Sequence, residues 1–284
     1  MILIGLFGCS QTQTKTVIPI SEKIKGDWKT EYFKENRIET AHIFTFQDST
    51  CSYLTPVGEF SNYWITGDTL NIKERTHKRG KYINNGKNIY QLLIDSITTK
   101  ILYLKPITDQ TKELFDYKNE VIKLSKIKKY RDWRIERIGF YCTGCFGSCP
   151  SMYLEIDSIG NILFSGNNHT EKKGFYSGVI PKKEMEILKS KINNIQLDSL
   201  NNRYFANWTD DQTCGMIIKT KSKTYECSAY GIYKEPIELR ILFHRLTELY
   251  KNVALKKDSS IVYQFQFKGI KHKLPPPPPP NEKQ

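Results

Sequence analysis

From residue 26 to residue 105 apolar and polar side chains alternate in short runs. The alternation predicts strands over 27–33, 42–46, 52–54, 62–65, 69–75, 89–94 and 100–104. Turn residues separate the runs, among them Gly67 with Asp68, and Asn84, Asn85 and Gly86. Such pairs favour tight hairpins, so the segment reads as an antiparallel meander. A meander this long exposes two edges unless it curls, which predicts a barrel or sandwich.

The second half is patterned differently. Alternating runs at 134–141, 152–156, 161–165 and 175–180 predict strands, with a turn at Ser158 to Asn161. Pro181 then opens a helix whose Met185, Leu188, Ile192 and Ile195 fall on one face, and residues 216–220 and 224–228 form another hairpin. Pro236 opens a second helix with Leu239, Leu242, Leu246, Leu249 and Val253 in a single stripe, the pattern of a core-facing surface. Residues 261–267 add a further strand, with Phe265 and Phe267 on one side. The fold class expected is α+β: a barrel-like antiparallel meander followed by an antiparallel sheet carrying two helices.

The boundaries follow from these patterns. A leader at 1–9 and a tether at 10–24 precede the β domain at 25–107. A basic connector spans 108–131, the α+β domain 132–267, and a basic, proline-rich tail 268–284. Length and composition fit two domains, since 284 residues with 39% hydrophobic content suffice for two modest cores.

The net charge of +13 is unevenly placed. Residues 1–130 carry +6, 131–250 only +2, and 251–284 carry +5. The positive residues gather in one hairpin (Lys73, Arg75, Lys78, Arg79, Lys81, Lys87), in the connector (Lys123, Lys126, Lys128, Lys129) and in the tail. Lys outnumbers Arg 34 to 9, whereas base readers rely on Arg placed on one face. Nucleic acid is therefore not an expected partner. Pro275 to Pro280 are expected to hold a stiff polyproline II rod, read as a spacer in preference to a ligand for an aromatic groove.

Three stretches resemble known families. The apolar run from Met1 to Gly8, with Leu6 at −3, Gly8 at −1 and then Cys9, resembles the lipobox of bacterial lipoproteins. That resemblance implies a diacylglycerol on Cys9 and removal of the preceding peptide. Gly26-Asp27-Trp28, with Phe44-Thr45-Phe46 and Gly67 to Leu70, resembles the start of lipocalin-like barrels. There the tryptophan is a packing residue at the closed end, and the lumen takes a small apolar ligand. Cys145 to Ile156, followed by Gly160, resembles the signature of domain of unknown function 6438; Trp208 to Thr213 and Tyr230-Gly231 fit its later segments. That likeness covers about 132–253 and implies a fold without an assigned activity.

The cysteines are Cys9, Cys51, Cys142, Cys145, Cys149, Cys214 and Cys227. Three readings of the last five stay open: structural cystines in an exported chain, a thiolate metal site assembled from Cys142, Cys145 and Cys149 with Cys214 or Cys227, or a redox dithiol at Cys142 and Cys145. Asp210 and Asp211 invite an acid–base reading, but neighbours in an extended segment face opposite ways. His169 reads as a loop residue and His244 as a neighbour of the core. No nucleophile elbow, metalloprotease helix, phosphate loop or dinucleotide fingerprint occurs. The expectation is a non-enzymatic binding or interaction module without a cofactor. It is lipid-anchored in the bacterial cell envelope, at the outer membrane facing the periplasm, with a small apolar ligand or an envelope protein as partner. The alternative is a metal- or thiol-dependent envelope protein using Cys142, Cys145 and Cys149.

Overall fold

The computed structural model describes residues 18–30, 42–53, 59–78, 81–83, 88–115, 121–232 and 234–267. Cys9, the leader, the turn at Asn84 to Gly86 and the tail from 268 lie outside the described residues. The first unit opens with helix α1 (Ile20–Lys23) and strands β1 (Gly26–Thr30), β2 (Ile43–Phe46), β3 (Cys51–Tyr53), β4 (Glu59–Thr66) and β5 (Thr69–Lys78). It continues with β6 (Lys81–Ile83), β7 (Ile89–Ile97), β8 (Ile101–Pro106), helix α2 (Asp109–Leu114) and β9 (Ile122–Lys126). The sheet runs β3-β2-β1-β9-β8-β7-β5-β4, with β6 paired to β5, and every pairing is antiparallel.

Its two ends nearly meet. Thr50 bridges Asn62, and the Tyr63 amide donates to the Ser49 carbonyl at 3.1 Å, so the sheet curls into a barrel-like form with little free edge. Gly67 adopts φ +59° in the two-residue turn between paired Thr66 and Thr69, a backbone region that glycine enters without strain. Inside, Phe44, Phe46, Tyr63 and Phe115 pack ring to ring among Leu70, Ile72, Leu92, Leu102, Leu104, Ile122 and Leu124. Trp28 is fully buried, its indole N–H donating to the Ile24 carbonyl at 2.6 Å.

The stretch read as a basic connector thus contributes a strand, β9, to this sheet. Ile122 and Leu124 point inward and β9 joins β1 to β8, while Lys123 faces out. Thr108, whose side chain accepts from the Thr111 amide, caps α2 within the same stretch.

The second unit contains β10 (Ile135–Cys142), β11 (Met152–Asp157), β12 (Asn161–Gly166), β13 (Gly174–Val179) and α3 (Lys182–Asn193), then β14 (Arg203–Phe205), β15 (Thr213–Thr220), β16 (Thr224–Tyr230), α4 (Ile237–Leu249) and β17 (Leu255–Lys257). The sheet order is β14-β16-β15-β10-β11-β12-β13-β17, antiparallel except for β14 beside β16. Strand periodicity places Ile138, Phe140, Leu154, Ile156, Phe164, Met216 and Ile218 on the face covered by α3 and α4. The helices meet them with Leu188 and Ile192, and with Leu239, Leu242, Phe243 and Leu246; each such side chain contributes about 1.5–3 kcal/mol by burial. Residues 261–267 do not form a strand. β17 already occupies the edge of β13, and the chain turns into a 3-10 helix over Ser259–Tyr263.

The units are joined by side chains as well as by the chain. Ile43 of β2 packs with Ile237 and Ile241 of α4. Beside them, the ammonium of Lys191 on α3 meets the carboxylate of Asp27 on β1, both buried. Asp27 also accepts from the Thr45 hydroxyl at 2.7 Å, and Lys29 reaches Glu238 at 2.8 Å.

Candidate functional site

The residues singled out in the second unit converge on the loops at one end of its sheet. β10 ends at Cys142, and the loop that follows is closed by a disulfide between Cys145 and Cys149, with Cα atoms 5.5 Å apart. Phe146 stands within this small ring at 92% exposure. Its amide donates to the Asp210 carbonyl at 3.2 Å, so the cystine loop leans on the loop that precedes β15. The dithiol reading of Cys142 with Cys145 is corrected here: Cys142 belongs to the interior of β10, and the loop partner of Cys145 is Cys149.

Gln212 fastens the base of the loop. Its side-chain amide donates to the carbonyls of Thr143, at 2.8 Å, and Pro150, at 2.7 Å, the two points where the loop leaves and rejoins the sheet. Thr143 adds a hydroxyl that accepts the Thr213 amide at 3.0 Å. Gln212 was given no role from sequence, although it lies within the Trp208 to Thr213 segment that resembles the family signature.

The aspartates serve structure. Asp211 accepts the Trp208 indole N–H at 2.8 Å and the Gln212 amide at 2.6 Å, while its own amide donates to the Tyr230 hydroxyl at 3.1 Å. Asp210 is exposed and takes φ +65°, a turn conformation that Asp tolerates better than most residues. Gly231, at φ +71°, lies against this loop: a Cβ there would come within 2.7 Å of Ala206 and 3.0 Å of the Trp208 indole nitrogen. The Trp208 to Thr213 and Tyr230-Gly231 segments are thus one packed loop system. The Asp211 carboxylate is engaged with an indole and with backbone, and that of Asp210 accepts the Thr209 hydroxyl at 3.3 Å, so the two carboxylates do not share a site.

The remaining cysteines lie beneath it. Cys142 of β10 is directly opposite Cys214 of β15, and Cys227 of β16 is opposite Met216, all three in the core. The Cys142 thiol donates to the Pro150 carbonyl at 3.1 Å. Burial pushes the Cys214 thiol well above its ordinary range, with adjacent Cys142 adding to the shift, and it pushes Cys227 up to about 12. Burial alone does the same to Cys51 in the first unit. Thiols held protonated this way are weak nucleophiles and poor metal ligands. Among the described residues no group of three or more His, Cys, Asp or Glu side chains is placed to hold a metal ion. His169 is exposed in a loop at φ +57°, and His244 lies half-buried on α4.

A buried ion pair that sequence reasoning missed lies on the sheet face opposite the helices. Glu155 alternates with the core residues Leu154 and Ile156 and is completely buried there, with Arg137 at 3.3 Å and the Tyr153 hydroxyl donating to it. Burial first, and the hydrogen bond to Glu155 second, push the Tyr153 phenol far up. An acidic residue centred in an apolar strand was the available signal.

Comparison with known proteins adds two likenesses. The family model for Domain of unknown function (DUF6438) matches residues 136–250, the span from β10 to the end of α4. A solved lipocalin-like protein from Bacteroides thetaiotaomicron aligns over 37% of this chain and 97% of its own, at 15% identity and a TM-score of 0.26. No curated protein matches the chain.

Proposed function

We propose that this chain is a non-enzymatic binding module of the bacterial cell envelope, tethered by a lipid on Cys9 and making contact through the cystine loop. The observation that carries the reading is Phe146, fully presented to solvent on a ring closed by Cys145–Cys149 and fastened by Gln212. A large apolar side chain fixed in this way loses little conformational freedom on binding, which is the advantage of a preorganised contact. Trp208 and Phe205, both more than a third exposed, extend the apolar character of the same end. A half-exposed cystine is at home in an oxidising compartment, which favours export and hence the anchoring role of Cys9.

The burial of Cys142, Cys214 and Cys227 weighs against the metal- or thiol-dependent alternative. The barrel-like first unit is compatible with a small apolar ligand. The rings filling its middle direct any such ligand to a mouth of the barrel.

Two experiments test the reading. Labelling cells with a radioactive fatty acid is expected to mark the wild type and not Cys9→Ala; absence of label from both rejects the anchor. A photo-crosslinking residue placed at 146 is expected to capture an envelope component that the same residue at Ile159, another exposed apolar position, does not. Equal capture at both positions, or none at 146, rejects the contact.

A further inference from the structure

The face of the second sheet that the helices leave uncovered carries side chains unsuited to open water. Tyr141, Tyr153, Glu155, Leu163 and Ile217 alternate outward there, and Glu155 and Ile217 are buried. Part of the cover comes from the end of the described chain. After β17, the Asp258 amide donates to the Phe175 carbonyl at 2.9 Å, Ile261 is buried within the 3-10 helix, and residues 264–267 then run over the sheet.

The contact made by these residues is specific in kind. The two oxygens of Glu155 accept consecutive backbone amides, from Phe267 at 2.8 Å and from Gln266 at 3.0 Å. The Phe265 ring sits between Tyr153 and Phe175, with centroids 5.0 Å and 6.5 Å away. Gln264 and Gln266 are exposed, while Phe265 and Phe267 are half-buried. None of 264–267 joins the strand ladder. The backbone donors are met by a charged side chain instead, in bonds that are strong and indifferent to the identity of the residues donating them. This is the way a docked peptide is held: main-chain bonds supply affinity, and alternate side chains entering pockets supply selectivity.

We propose that this face is a docking site for an extended peptide with an aromatic residue followed by two unblocked backbone amides, and that residues 264–267 occupy it in cis as a built-in stand-in. The partner is a protein segment of that pattern, and the stand-in keeps the site closed until one arrives. Glu155 and Arg137 supply the amide anchor, and Tyr153 and Phe175 supply the aromatic slot. The site shares no residue with the Phe146 loop, so it stands or falls independently of the contact proposed there.

The test uses the full-length chain and a fluorescent peptide with the sequence of residues 259–267. A stand-in that fills the site nine-tenths of the time weakens apparent affinity for a competing peptide about tenfold. Phe265→Ala in the protein, which loosens the stand-in while leaving the groove residues intact, is therefore expected to bind the peptide about tenfold more tightly by anisotropy than the wild type. Hydrogen exchange at the amides of residues 266 and 267 rises in the same variant. The gain disappears with a peptide N-methylated at the positions of Gln266 and Phe267, and with Glu155→Ala added to the protein. The N-methyl peptide keeps the test decisive if Glu155→Ala does not fold. Faster exchange without tighter peptide binding overturns the proposal and leaves a packing strap. Unchanged exchange in Phe265→Ala, or tight binding of the N-methyl peptide, overturns it as well.

Discussion

Lys191→Met removes the cation of the buried pair that joins the two units while keeping most of its alkyl stem. In the wild type the side chains of Lys191 and Asp27 are only 8% and 5% exposed, so little water is available to replace the lost ammonium. Removing one partner of such a pair typically costs about 3–5 kcal/mol, because the other charge is stranded. Asp27 keeps the Thr45 hydroxyl at 2.7 Å and a long contact to Asn194 at 3.5 Å, which places the expected loss at the lower end, about 3 kcal/mol. With a urea dependence of about 3 kcal/mol per molar, the unfolding midpoint falls by about 1 M. Tryptophan fluorescence weights the first unit through the fully buried Trp28, next to Asp27 in β1, and the second through Trp133 and Trp208, while circular dichroism follows the backbone of both units. Loss of the link is also expected to separate one cooperative transition into two, so the probes cease to coincide. Adding Asp27→Asn to Lys191→Met should recover part of the loss, because the stranded charge is then gone. A midpoint shift of a few tenths molar or less, or a double variant that loses the full sum of the two single losses, refutes this account of the interface.

Four further outcomes follow from the same geometry. At pH 7 the buried Cys51, Cys142, Cys214 and Cys227 are expected to resist maleimide until the protein is denatured, as counted by mass spectrometry; modification of any of them in the native protein contradicts the described core. Stability should fall as pH rises from about 9 towards 12, because Cys227 keeps its proton in the fold to about 12 while the unfolded chain releases it near 9; each such thiol contributes a slope of about 1.4 kcal/mol per pH unit, read from urea midpoints at pH 7, 9 and 10. Gln212→Leu leaves the Thr143 and Pro150 carbonyls without their shared donor and is expected to cost about 2–4 kcal/mol, with faster hydrogen exchange confined to the cystine loop. Gly166→Ala drives a Cβ to 1.9 Å from the Lys172 carbonyl oxygen and is expected to cost about 3 kcal/mol in thermal or urea unfolding.

Most strands and both long helices were readable because each buries one face and so leaves a period of two or of 3.6 in the sequence, whereas β6, β14 and β17, three residues each, are too short to show one. What escaped was placed by contacts with no local period. In β9 the inward Ile122 and Leu124 are flanked by Lys123 and Lys126, and the charge suggested a linker where the alternation was that of a strand. Lys191 resembles any solvated helix lysine, and its partner lies 164 residues earlier, a separation that no neighbouring pattern reports. Cys142, Cys214 and Cys227 did carry a legible sign. Each shares the parity of a core residue two positions away, Phe140, Met216 and Tyr225 respectively, which marks them as interior packing residues. The pairing of Cys145 with Cys149 depended on the path of an irregular loop and was not fixed by spacing.

The position of β9 has a consequence for how the protein is made. The chain emerges from the ribosome N-terminus first, so β1 to β3 and β4 to β8 are both synthesised before the strand that lies between β1 and β8 exists. Until residue 126 is available, the free edges of β1 and β8 remain open to other chains, and a fragment ending at residue 107 would carry that exposure permanently. A gene dissected to yield the first unit alone should accordingly be cut after β9, between Ile127 and the start of β10 at Ile135.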